Sequence, residues 1–111
     1  MTEAAENVKE YAIYAPPADV IENHSGIKVV LDVPGATADL LEVEVEDKVL
    51  KVKADTELMK NDKALRYQRA FQISDEIDAT KISAAVNNGI LTLCLPKAEH
   101  AKVHKIAVKA E

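Results

Sequence analysis

The chain has 111 residues, enough for one domain with a single core and too few for two. Apolar residues make up 48% of it but aromatic residues only 4%, with one Phe, three Tyr and no Trp, so the core must be built from Val, Ile and Leu. A net charge of −5 with no basic patch argues against nucleic acid or an anionic membrane as partner, and a single cysteine excludes an internal disulfide framework.

Residues 1–15 place Ala4, Val8, Tyr11, Ala12 and Ala15 at helical spacing, while Tyr11, Ile13 and Ala15 also alternate as in a strand. Alanine and glutamate favour helix and Pro16-Pro17 would stop it sharply, so a short amphipathic arm is expected over 1–16. The opening Met-Thr-Glu-Ala-Ala-Glu does not read as a secretory signal, and no apolar run approaches the roughly 18 residues of a membrane span. A cytoplasmic protein is the expectation.

A strand is expected over 18–22, leaving through His24-Ser25-Gly26, and a second over 28–33, ended by Pro34-Gly35. Thr37-Ala38-Asp39 bridges to residues 41–46, where Leu41, Val43 and Val45 alternate with three glutamates. After a turn at Asp47-Lys48, residues 50–54 repeat the alternation with lysines outside, so an antiparallel hairpin sets glutamate opposite lysine. A solvated face explains Glu42, Glu44 and Glu46 better than paired catalytic acids do.

Residues 55–65 are polar and read as a loop with a helical turn at most. Alternation returns over 66–73, with Tyr67, Arg69, Phe71 and Ile73 on one side. Arg69 is the odd member of that apolar side. Either its guanidinium reaches water over the aromatic rings near the strand end, or it joins a buried or interface ion pair. Ser74–Thr80 reads as a turn or one helical turn, with Ser74 able to cap.

A short strand over 81–86 leads into Asn87-Asn88-Gly89, residue types that tolerate positive φ and reverse the chain. Leu91, Leu93 and Leu95 then alternate with Thr92 and Cys94 until Pro96, which cannot continue a central ladder. Residues 98–102 read as linker. Over 103–109 a weak alternation puts His104, Ile106 and Val108 on one side.

No catalytic constellation emerges. His100 and His104 lack a third metal ligand, Cys94 reads as a small packed residue with no base beside it, and Ser25, Ser74 and Ser83 sit in no nucleophile motif. Three glycines provide no phosphate-cradling loop. Neither enzyme activity, nor a metal, nor a cofactor is expected. Seven or eight short strands without a sustained helical pattern describe an all-β antiparallel sandwich.

Several spacings in order are similar to those of the small heat-shock proteins, bacterial type, built on the α-crystallin domain. Asp19-Val20-Ile21-Glu22 looks like that domain's first strand. Leu31-Asp32-Val33-Pro34-Gly35 resembles the Asp-x-Pro-Gly signature, and Ala85–Leu91 the Ala-x-x-x-Gly-Val/Ile-Leu signature, with Leu95-Pro96-Lys97 following as in bacterial members. Arg69, within Tyr67–Ile73, falls on the family's dimer-interface arginine. Ile106-Ala107-Val108 resembles the C-terminal Ile-x-Ile/Val motif.

The resemblance implies an immunoglobulin-like sandwich over 17–97, an arm over 1–16 and a C-terminal extension over 98–111. It also implies ATP-independent holding of unfolding client proteins under stress. Dimers formed around Arg69 would join when Ile106 and Val108 dock in a groove, for which Leu41, Val43, Val45, Ile82, Ala84 and Val86 are the candidates. The chain would then partner itself and its clients. The competing reading is a co-chaperone of the CS-domain type, a stable monomer with no use for Ile106 and Val108; a sugar-binding sandwich would want more exposed aromatic rings. Two departures stand out. The arm is short and lacks Phe and Trp, and residues 55–65 are few for a loop that exchanges a strand between protomers. The strands of residues 66–73 could instead pair edge to edge, as in animal relatives.

Overall fold

The computed structural model describes residues 10–111. Eight strands form two sheets: β1 (Tyr11–Tyr14), β6 (Lys63–Gln72), β5 (Val49–Lys60) and β4 (Ala36–Glu46) in one, and β2 (Ala18–Asn23), β3 (Gly26–Asp32), β8 (Ile90–Pro96) and β7 (Ser83–Asn87) in the other, in those orders. All pairings are antiparallel except that of β1, which runs parallel to β6. The sheets pack as a sandwich. β4 and β7 form one open edge, and the link from β1 to β2 through Pro16 and Pro17 crosses between the sheets at the other.

Alternation in sequence becomes burial in space. Leu91, Leu93 and Leu95 of β8 and Val29 and Leu31 of β3 face Leu50, Val52 and Ala54 of β5, and all are buried. Each leucine so enclosed contributes about 1.5–3 kcal/mol. Cys94, on the opposite face of β8, is exposed, so its expected packing role is not what the structure gives it.

Three hairpins turn on two residues with positive φ: Asp47 and Lys48, Asn61 and Asp62, and Asn88 and Gly89. This backbone matches the right-handed twist of the flanking strands. The β4–β5 hairpin has the expected register, Glu42 opposite Lys53 and Glu44 opposite Lys51, with a Lys53–Glu42 ion pair at 3.4 Å. The β7–β8 turn is tied to the end of β3 by a 2.7 Å hydrogen bond from the Val33 N–H to the Gly89 carbonyl.

Five further expectations are overturned. Residues 55–65 are not a loop: β5 and β6 continue to Asn61-Asp62, a polar pair that supplies the two left-handed residues of a tight turn. The register shifts between Asp55 and Met59, and Thr56 repairs the ladder there. Its hydroxyl donates to the Leu65 carbonyl at 2.9 Å and accepts from the Leu58 N–H at 3.1 Å. The expected helical arm is a strand over 11–14, because pairing with β6 outweighs the weak helix preference of so short a segment; its residues 1–9 lie outside the described part of the chain. β4 begins at Ala36 rather than Leu41, taking in the supposed bridge. Finally, Ile82 precedes β7, next to a 3₁₀ turn over Ala79–Lys81 capped by Asp78, and residues 103–109 form no strand.

Candidate functional site

The open edge of the sandwich holds an apolar cleft. β4 and β7 belong to different sheets and are not hydrogen-bonded to each other, so side chains rather than a ladder fill the space between them. A cleft of about 260 Å³ lies there, lined by Leu41 and Val43 of β4 and Ala84 and Val86 of β7, with exposed Ala38 and Ala85 beside them and buried Leu91 beneath. Of the six groove candidates these four line the cleft. Val45 and Ile82 are partly buried against the core outside it.

Ile106 and Val108 are elsewhere. After a 3₁₀ turn over Glu99–Ala101 the chain runs on without regular structure, leaving Ile106 86% and Val108 93% exposed. This extension stretches the molecule to 82 Å along its longest axis. Within one chain the tail and the cleft do not meet. The spacing of the two aliphatic residues puts both on one face of any extended segment.

The opposite edge is organised by two arginines of β6. Arg69 pairs in register with buried Val52 and therefore points to the core side. Its Nη1 donates to the Pro16 carbonyl at 2.8 Å, and its guanidinium carbon lies 4.8 Å from the centre of the Phe71 ring. Among the described residues no carboxylate lies within ion-pair distance of it. Of the two readings open from sequence, the protomer thus shows the guanidinium over an aromatic ring, with a backbone carbonyl as its partner.

Arg66 points to the outer face. Its Nε and Nη2 donate to Asp55 Oδ1 and Oδ2 at 2.5 and 3.2 Å, and its guanidinium stacks 3.7 Å over the centre of the Tyr11 ring. The bond to Asp55 raises the Arg66 pKa further above its ordinary value, so the cation is permanent. Sequence reading missed this group. Its signal was the Asn61-Asp62 turn, which would have placed Asp55 and Arg66 on adjacent strands.

Beyond Tyr67 the outer edge of β6 carries no strand among the described residues, so Arg69 lies beside open backbone. On the outer face of that sheet the glutamates of β4 are exposed beside Lys51 and Lys53 of β5, a lattice of opposite charges in water. His104 approaches the Glu99 carbonyl at 3.3 Å through a ring nitrogen.

Comparison with known proteins bears on this geometry. The Hsp20/alpha crystallin family pattern matches residues 19–109. A 17.7 kDa class II heat shock protein of Arabidopsis thaliana is 33% identical over 98 residues, covering 78% of this chain and 63% of that protein. The 18 kDa antigen 2 of Mycobacterium avium is 32% identical over 100 residues, covering 83% of this chain and 72% of that one. The first of these relatives is therefore matched over less than two-thirds of its length.

Among solved structures, a small heat-shock protein from Xylella fastidiosa superposes with a TM-score of 0.68 at 22% identity, over 89% of this chain and all of that one. Heat shock protein 16.0 from Schizosaccharomyces pombe gives 0.67 at 25% identity, over 86% of this chain and 76% of its own. A sandwich with this strand order and a family pattern spanning the signatures at Pro34-Gly35 and Gly89-Ile90-Leu91 leave one assignment: the chain belongs to the Hsp20/alpha crystallin family, the small heat-shock proteins.

Proposed function

We propose that the protein is an ATP-independent holdase that binds unfolding proteins and keeps them from aggregating. The observation that carries the reading is a complementary pair in one chain: an apolar cleft at the β4–β7 edge, and an extended tail presenting Ile106 and Val108 to solvent. Among the described residues neither surface is satisfied within the protomer. Tail from one copy laid in the cleft of another buries both, so protomers join head to tail without any new fold being required. Dimers form first, along the open part of the β6 edge beside Arg69. Apolar surface released when such contacts loosen competes with client self-association, and no chemical step is involved.

The test is light scattering from a heat-unfolding client with and without the protein, in the absence of ATP. Suppression at a low molar ratio is expected. A folded protein that leaves the scattering unchanged would overturn the reading in favour of a co-chaperone that docks on another chaperone.

A further inference from the structure

The edge of β6 is divided. Ala64–Tyr67 carries β1 in parallel register, while Gln68–Gln72 carries no strand among the described residues. β1 is only four residues long, and its grip on the edge is specific. On the outer face the Tyr11 ring stacks on Arg66, which Asp55 holds from the other side. On the inner face Tyr14 meets Tyr67 edge to face, ring centres 6.2 Å apart. Ile13 and Tyr14 nevertheless remain 62% and 50% exposed.

The two partners in this contact differ in rigidity. Tyr67 is held by a hydrogen bond from its hydroxyl to the Pro34 carbonyl and Arg66 by a two-pronged ion pair with Asp55, so both receiving side chains are fixed by contacts that do not involve β1. A short edge strand with large side chains half in water belongs to the parts of a fold that open most easily. β1 is therefore an imprint of what the edge accepts: an extended backbone, a leading ring for Arg66, a small residue, an aliphatic residue left outward, and a closing ring for Tyr67.

We infer that the Ala64–Tyr67 edge is a strand-accepting site, that β1 is its resident occupant, and that an extended segment of an unfolding polypeptide with the same aromatic–small–aliphatic–aromatic order displaces it. The inference rests on the holding role, which supplies such segments. Backbone hydrogen bonds give the affinity and alternate side chains the selectivity, as in other strand additions to a sheet edge. Because β1 is tethered to the site, it competes at an effective concentration of order millimolar. The site thus stays closed to dilute folded proteins and opens to segments crowded around the chain, or when warming loosens the arm.

The probe is a fluorescein-labelled peptide copying residues 10–15, titrated by anisotropy against the full chain and against a full-chain variant with Tyr11→Ser and Tyr14→Ser. Thermal melts confirm that both sandwiches are folded. The released variant should bind about tenfold more tightly, since the competent fraction sets the apparent affinity. Adding Arg66→Lys, which keeps a cation beside Asp55 but removes the planar stack, should weaken binding about threefold. Equal affinity for wild type and released chain, or no effect of Arg66→Lys, overturns the inference. Client light scattering on the same samples separates it from the holding role. Suppression without peptide binding removes the strand site alone, and peptide binding without suppression keeps the strand site and removes the holding role.

Discussion

Arg69 on β6 and Pro16, between β1 and β2, are joined by a 2.8 Å hydrogen bond from the guanidinium to the proline carbonyl. It ties one sheet to the segment that crosses to the other, at the edge where β1 ends. Pro16 is fully buried, so its carbonyl has poor access to water if the donor is removed. An Arg69→Ala variant is therefore expected to lose about 1–3 kcal/mol in urea unfolding, the range for leaving a buried acceptor unsatisfied. If Arg69 also organises the dimer, sedimentation will show weaker self-association as well. A destabilised chain with an unaltered dimer constant would confine Arg69 to the internal tie.

The tail separates assembly from folding. Ile106 and Val108 are almost fully exposed among the described residues, so Ile106→Ala with Val108→Ala should leave the thermal midpoint of the isolated protomer unchanged. The mass of the assembly should fall to that of the dimer. Light scattering of the native protein at matched concentration checks this, and an unchanged mass removes the tail from the assembly scheme.

The cleft can be blocked without touching the core. Ala84 lies exposed on β7 within the lining of the cleft, and Ala84→Arg places a long charged side chain across it while costing little stability. The same reduction in assembly mass is expected as for the tail variant. Combining the two should add nothing further, because two changes that break one contact are not additive. Additive losses would mean that tail and cleft serve different partners.

How far the fold was legible follows from where side-chain alternation has a single reading. Leu91, Leu93 and Leu95, and Glu42 and Glu44 opposite Lys53 and Lys51, fix strand and face at once because a slip would bury charge. The arm is illegible for the opposite reason: Tyr11, Ala12, Ile13 and Tyr14 fit a helix or a strand, and pairing with Ala64–Tyr67 of β6, 53 residues further along the chain, decides between them. The hairpin tip at Asn61-Asp62 reads as loop in the sequence because its flanks are polar and out of register, and Thr56 supplies the missing bonds there. The candidate cleft follows from the family resemblance, because alternation alone does not say which apolar face is core and which is groove. That Val45 and Ile82 fall outside it depends on where β4 and β7 come closest, a distance no alternation encodes.

Tyr67 offers a readout of the core in solution. Its hydroxyl donates to the Pro34 carbonyl at 2.8 Å, linking β6 to the Pro-Gly turn after β3, and burial raises its pKa above the ordinary 10.0. Between the unfolded and the folded pKa the unfolded chain releases a proton that the folded chain keeps, so unfolding is favoured as pH rises through that window. The stabilising contribution of the neutral phenol is complete below pH 10 and is lost above it. Tyr67→Phe removes both the bond and the titration. Pro34 is exposed and its carbonyl can be rehydrated, so the variant should lose only about 1 kcal/mol at neutral pH. Urea unfolding at several alkaline pH values should then show the wild type converging on the variant, because only the wild type has a phenol at this position to ionise. Parallel curves for the two proteins throughout that range would mean that Tyr67 does not ionise differently in the folded chain.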